Sequence, residues 1–248
     1  EGVREGGYQL LVGCNDYSLE REEELVRTFL ARGADAIVLT GHLHTPRTTQ
    51  LLRKDRVPVV EMWSVGEQPI GTSIGIDDFD AALEATRHLI SKGRRRIGYI
   101  GGKTEGNDRA QARIMGFRMA LKEAGITVDE RLELMGTFEF DTGASAMYKL
   151  IQIEPELDAV FAASDIIATG ALLRCLQEEI DVPGRVAICG FDDARIAQMI
   201  RPALTTVKFS RREIGRQVAQ MLMKQLQGET PEEKVIRIRH SLIVRETT

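Results

Sequence analysis

Apolar and polar positions along this chain alternate between two periods. Short, unbroken apolar runs occupy residues 8–14, 35–39, 57–61, 95–101, 158–163 and 185–191. Runs of that length without polar alternation predict strands covered on both faces, as in a parallel sheet. Between them, apolar residues recur at helical spacing and predict amphipathic helices over 20–32, 78–92, 110–124, 142–153, 165–179 and 211–226. Four of these end on a glycine, Gly33, Gly93, Gly125 and Gly228, the residue that most readily adopts the left-handed helix cap. The regular alternation predicts an α/β fold of doubly wound parallel sheets. Residues 1–7 read as a helix end with its glycine cap, and a strand is expected before such a helix. The first strand is therefore expected upstream of Glu1.

Composition narrows the function classes. The 248 residues are 43% hydrophobic and 28% charged, ordinary for a globular protein. A formal net charge of −4 provides no polycationic surface for DNA within this segment. Arg94, Arg95 and Arg96 precede a strand without a basic stripe behind them and read as its solvated entrance. No apolar run approaches the ~18 residues a membrane helix needs, and no signal peptide is visible. Cys14, Cys175 and Cys189 lie far apart in apolar runs and read as reduced core cysteines. His42 and His44 could meet a metal from one strand face, but no acidic or cysteine partner stands near them in sequence. No metal and no cofactor is expected.

Gly101-Gly102-Lys103-Thr104 ends a strand and imitates the tail of a phosphate-binding loop. That motif needs a glycine five residues before its last one, where this chain has Ile97. Three other strand ends carry clustered polar groups, where open α/β sheets bind ligands. Glu105 to Arg109, followed by Arg113, offers backbone amides and two guanidiniums to a carboxylate or a set of hydroxyls. The same arginines could serve as surface partners of Glu105 and Asp108. Phe161 to Asp165 holds two helix-capping candidates; capping suits Asp165 and leaves Ser164 freer to meet a ligand. Gly190 to Arg195 carries Asp192 and Asp193, which suit vicinal sugar hydroxyls better than acid–base chemistry. No Ser/His/Asp order or nucleophile elbow accompanies them, so no enzyme is expected.

These loops, in this order, resemble the effector-binding core of the LacI/GalR family of transcriptional regulators. The likeness covers nearly the whole chain and includes Gly33–Val38, Asp77-Asp78, Arg113-Ile114-Met115-Gly116-Phe117, Ser164-Asp165, Gly190-Phe191-Asp192-Asp193 and Pro202–Val207. It implies two subdomains of the type I periplasmic-binding-protein kind, joined by three crossovers, with a small effector in the cleft. The expected N-terminal subdomain is 1–102 plus 208–232, and the C-terminal one 103–207 plus 233–248. The crossovers are expected at Gly101–Thr104, near Val207–Phe209 and near Pro231–Lys234, with Gly101, Gly102, Lys103 and Thr104 as hinge. Carried over, the effector contacts are Arg113, Ser164 and Asp192, with Phe161 as a pocket wall, Asn107 and Arg109 as further contacts and Asp77 from the other subdomain. The resemblance also implies a cytoplasmic homodimer that reads operator DNA through an N-terminal helix-turn-helix headpiece not in this chain. Thr40–Thr48 with Val57–Glu61 resembles the gluconate-operon repressors and implies a sugar acid as effector. A periplasmic sugar-binding protein is the alternative, since it shares the fold and the pocket logic.

Overall fold

Helix boundaries follow the capping signals closely. In the computed structural model, which describes residues 2–248, α1 spans Gly2–Glu5, α2 Leu19–Ala31, α3 Pro46–Asp55, α4 Asp78–Ser91 and α5 Asp108–Glu123. Further on lie α6 Phe140–Ile153, α7 Asp165–Gln177, the short α8 Arg195–Met199 and α9 Arg211–Leu226. Gly33, Gly93, Gly125 and Gly228 all have φ between 68° and 86°, the left-handed turn their type permits without a Cβ clash. Thr45 caps α3 by accepting from Thr48 N, and Pro46 fills the first turn, where its missing N–H costs nothing. Glu1, the start of the opening helix read from the sequence, lies outside the described residues.

The chain divides into two units. Unit 1 comprises Glu1–Asp77, Glu105–Asp108 and Ser210–Arg239; unit 2 comprises Asp78–Thr104, Arg109–Phe209 and His240–Thr248. Unit 1 contains a parallel sheet ordered β1-β2-β3-β9, with β1 Ile37–Thr40, β2 Val59–Ser64, β3 Thr72–Ile76 and β9 Val235–Arg237. Unit 2 contains a six-stranded sheet ordered β10-β8-β7-β6-β4-β5. Its strands are β4 Ile97–Gly102, β5 Glu133–Gly136, β6 Ala159–Ala162, β7 Ala187–Phe191, β8 Thr205–Phe209 and β10 His240–Ile243, the last antiparallel to β8. Every residue of β3, β4, β6 and β7 is buried, which is why these strands read as apolar or small throughout.

Two expectations differ from what is seen. Residues 8–14 form no strand; Leu10, Leu11 and Val12 are 69%, 63% and 82% exposed. The run has the apolar pattern, but no strand among the described residues pairs with it, and an extended backbone without a neighbour has no partner for its N–H and C=O groups. The unit boundaries also differ. The expected N-terminal subdomain took in residues 78–102, whereas α4 and β4 belong to unit 2, because β4 pairs with β5 and β6. Gly101 and Gly102 are buried residues of β4, and the change of unit comes at Thr104 and Glu105. Close packing explains both glycines: a Cβ would meet the Tyr99 ring at 2.4 Å from residue 101 and the Phe138 ring at 2.3 Å from residue 102.

Candidate functional site

Arg113 occupies a core position of its helix. The buried stripe of α5 runs Ala110, Arg113-Ile114, Phe117, Ala120-Leu121, at helical spacing, so a guanidinium stands where an apolar side chain is the rule. Burying such a charge is costly unless it is paired and hydrogen-bonded. Three elements of unit 2 supply the partners. Nε donates to Asp78 Oδ1 at 2.8 Å, Nη1 donates to the Ala163 carbonyl at 2.7 Å, and the guanidinium lies 3.8 Å from the centroid of the Phe191 ring. Asp78 opens α4, where the helix dipole favours an anion. Burial lowers the tendency of Arg113 to stay charged, but the charges of Asp78 and Asp192 outweigh it and raise its pKa. The alternative of a surface arginine paired with Glu105 or Asp108 does not hold.

Beneath the guanidinium lies a row of rings. Tyr99 meets Phe117 and Phe161 with centroids 5.3 and 5.8 Å apart, Phe161 meets Phe191 at 6.5 Å, and Phe191 meets Phe209 at 6.1 Å. Both Phe161 and Phe191 are wholly buried, and the ring under the arginine is Phe191. Phe161, expected as a pocket wall, packs between Tyr99, Phe117 and Phe191.

Ser164 and Asp165 exchange the roles expected of them. Ser164 is 5% exposed and caps α7, its Oγ accepting from Ile167 N at 3.2 Å. A capping hydroxyl can still donate its own proton. Asp165, 1% exposed, reaches away from its helix: Oδ2 accepts from Ala194 N at 2.6 Å and Oδ1 from the Thr206 hydroxyl at 2.5 Å. Burial pushes its carboxyl up to about 7, against those two bonds and with help from the charges of Asp192 and Asp193. Asp192 follows β7 with φ 112°, a region L-residues rarely adopt, and its N–H donates to the Val207 carbonyl at 2.8 Å. Arg113, Ser164, Asp192, Phe161 and Arg109 thus belong to unit 2, and the first three gather around the ends of β6 and β7. Arg109 is half-buried at the start of α5. Asn107, 2% exposed, and Asp77, half-buried after β3, belong to unit 1.

Unit 1 holds an ion network that sequence spacing concealed. His44 Nδ1 lies 2.6 Å from Glu22 Oε1, and Glu61 Oε1 lies 3.4 Å from His44 Nε2 and 3.5 Å from His42 Nδ1. Glu61 Oε2 accepts from Ile70 N at 2.7 Å, and the Asp108 carboxylate accepts the His42 N–H. Burial acts to lower the His44 pKa, yet its bonds and charges with Glu22 and Glu61 raise it to about 9. Burial likewise acts to raise Glu61, and the two histidines bring it down to about 2. The acidic partners the sequence seemed to lack come from α2 and β2. Among the described residues no group of three or more His, Cys, Asp or Glu side chains is arranged to hold a metal ion. No helix among them is long and apolar enough to cross a membrane.

Comparison with known proteins agrees along the chain. Residues 86–248 match the periplasmic binding protein-like domain. The HTH-type transcriptional regulator GntR of Pseudomonas aeruginosa is 30% identical over 248 residues, covering 99% of this chain and 71% of that protein. The crystal structure of the transcription regulator GntR from Chromobacterium violaceum superposes with a TM-score of 0.93 at 34% identity, over 99% of this chain and 90% of that one. A LacI family transcriptional regulator from Silicibacter pomeroyi gives a TM-score of 0.90 at 32% identity, again over 99% and 90%. With an identity of that level sustained over almost all of its length, the chain belongs to the LacI family of transcriptional regulators.

Proposed function

We propose that this chain binds a small sugar acid, gluconate or a close aldonate or ketoaldonate, and that the bound effector controls operator DNA binding by a cytoplasmic homodimer. The observation that carries the choice of ligand is the buried Arg113 guanidinium, held by Asp78 and Ala163 on the Phe191 ring, with the Asp192 charge acting on it. Its fork retains Nη2 for a ligand carboxylate, and Asp192 is a good acceptor for sugar hydroxyls. The hydroxyl of Ser164 and the side chains of Arg109, Asn107 and Asp77 are further proposed contacts. Gly101–Thr104 is the proposed hinge, with Lys103 and Thr104 as its pivot, since Gly101 and Gly102 are fixed by ring packing. The 40–48 stretch supports a gluconate-type effector only as a family mark, because its histidines are engaged inside unit 1. Control of DNA requires that the effector bind one conformation of the protein better than another.

Calorimetry with gluconate, 2-ketogluconate, ribose and a purine tests the ligand. Gluconate or its keto acid should bind, and Arg113→Ala should weaken it on the order of 100-fold, the scale of truncating one partner of a buried charge pair. Arg113→Lys keeps a cation beside Asp78 but loses the fork, so it should fold and still bind poorly. Binding of ribose or a purine with no response to any aldonate would overturn the sugar-acid reading.

A further inference from the structure

Asp165 is more elaborately bonded than a helix start requires. The cap of α7 is already provided by Ser164, so the Asp165 carboxylate is not needed for it. Instead it is buried and spans to the loop after β7, binding Ala194 N directly and Asp193 N through Thr206, whose hydroxyl donates to Asp165 and accepts from Asp193 N at 3.4 Å. Gly190 makes room for this: a Cβ there would stand 2.4 Å from Asp165 Oδ1. The loop so held contains two consecutive non-glycine residues with positive φ, Asp192 at 112° and Asp193 at 47°. Such backbone persists only where its surroundings over-determine it, and it gathers at functional sites. A second tie comes from the other side, where Arg245 Nη2 donates to Asp193 Oδ1 at 2.5 Å.

We propose that Asp165 is the positioning residue for Asp192: from beneath the loop it fixes residues 192–194 so that the Asp192 carboxylate is held ready for ligand hydroxyls. This rests on the reading of Asp192 as an effector contact. Burial raises the Asp165 pKa while the two bonds hold it down, so a loop that lets go of a still-buried carboxyl raises it further. Protonation of Asp165 therefore weakens the hold on Ala194 N and loosens the loop locally, even though the folded protein binds that proton more tightly than the unfolded chain. Its shift toward neutral pH brings that step into the physiological range. The charged and titratable groups around it are Asp192 and Asp193 from the loop, the Cys189 thiol of β7, and Lys208 of β8 and Arg245, which both pair with Asp193. Arg113 interacts with Asp192, while α6 and α8 bring exposed Asp141, Lys149 and Arg195.

Two measurements decide the matter. Without any ligand, hydrogen exchange of the peptide spanning 190–198, corrected for the intrinsic pH dependence, should show protection falling about tenfold from about pH 8 to about pH 6. Asp165→Asn should lose that protection at both pH values and abolish its pH dependence, while peptides of β1 and β2 stay unchanged. Thr206→Val, which removes only one partner of the carboxylate, should give a smaller change of the same sign. Unchanged protection and pH dependence in Asp165→Asn would overturn the proposal. With gluconate as the probe, Asp165→Asn should bind about tenfold more weakly at about pH 8 and approach the unmodified protein at about pH 6. Asp192→Ala is the control that separates the two ideas: gluconate binding unaffected by it sinks the effector reading, whereas the exchange result judges the positioning of the loop by itself.

Discussion

At the scale of single residues, the site depends on how a buried cation is satisfied. Arg113 places one nitrogen on a carboxylate, another on a carbonyl, and its face on a ring; removing any of them alters the others. Phe191→Leu tests the ring. It keeps an apolar side chain in a wholly buried position but deletes the cation–π contact, which is worth roughly 0.5–2 kcal/mol. The expected result is gluconate affinity reduced roughly 3- to 30-fold, with a fall in Tm of a few degrees from the imperfect volume match. Titration calorimetry and thermal unfolding on the same sample check both halves. Retained affinity with the lower Tm would mean the ring is only core. The position of Arg113 was legible in the sequence through its family motif, but its partners Asp78, 35 residues away at the start of α4, and Phe191, at the end of β7, were not, because no local spacing links them to it. Ser164 and Asp165 were exchanged for a simpler reason: both residue types cap helices well, and which one does so is set by backbone angles at one junction.

At the scale of elements, the helices were the legible part, since their ends are written in glycines, prolines and capping hydroxyls close to each terminus. The assignment of α4 and β4 to a unit was not legible, because alternation gives the order of elements but not the sheet a strand enters. β3, Thr72–Ile76, also escaped notice: its Thr, Ser and Gly residues interrupt the apolar signal although all five are buried. One helix contact can be tested directly. Gly143 of α6 faces the Ile167 carbonyl, and Gly170 of α7 faces the Phe140 carbonyl; a Cβ at either would lie 2.0 Å from that oxygen. The helices can approach so closely only because both positions lack a side chain. Alanine normally favours a helix over glycine by about 1 kcal/mol, so propensity alone makes Gly170→Ala stabilising. The clash argues the opposite, with overpacking costing about 1–3 kcal/mol or more. Net destabilisation by about 1–2 kcal/mol is expected in denaturant titration, and a more stable variant would show that the helices separate at little cost.

At the scale of the whole molecule, three buried groups give stability a common dependence on pH. His44 has a folded pKa of about 9, above its ordinary 6.5, so its contribution is complete below about pH 6.5 and lost as pH rises through about 9. Asp165, raised to about 7, also binds its proton more tightly when folded, and that contribution is complete below about pH 4 and gone above about 7. Glu61 acts in the opposite sense: held down to about 2, it stabilises above about pH 4.5 and fails as pH falls toward 2. The three together place maximum stability near about pH 4 to 5, with a decline toward about pH 7 from Asp165 and a further decline toward about pH 9 from His44. The His44 shift corresponds to about 3 kcal/mol, the surplus of its bonds and charges with Glu22 and Glu61 over the cost of burial. The groups lie in different units, His44 and Glu61 in unit 1 and Asp165 in unit 2, so substitutions can divide the profile between them. Because a chain of two units need not unfold in one step, transitions should be followed separately, by hydrogen exchange of peptides from β1 and β2 and from β6 and β7 during urea unfolding. His44→Gln is expected to destabilise unit 1 by about 2–3 kcal/mol at pH 6 and by much less at pH 9.5, which flattens the alkaline decline of that unit. Asp165→Asn should flatten the decline of unit 2 between about pH 5 and 7 and leave unit 1 unaltered. A profile that rises from pH 6 to 9, or one that His44→Gln shifts by a constant amount at every pH, would mean that the histidine is not charged in the folded protein.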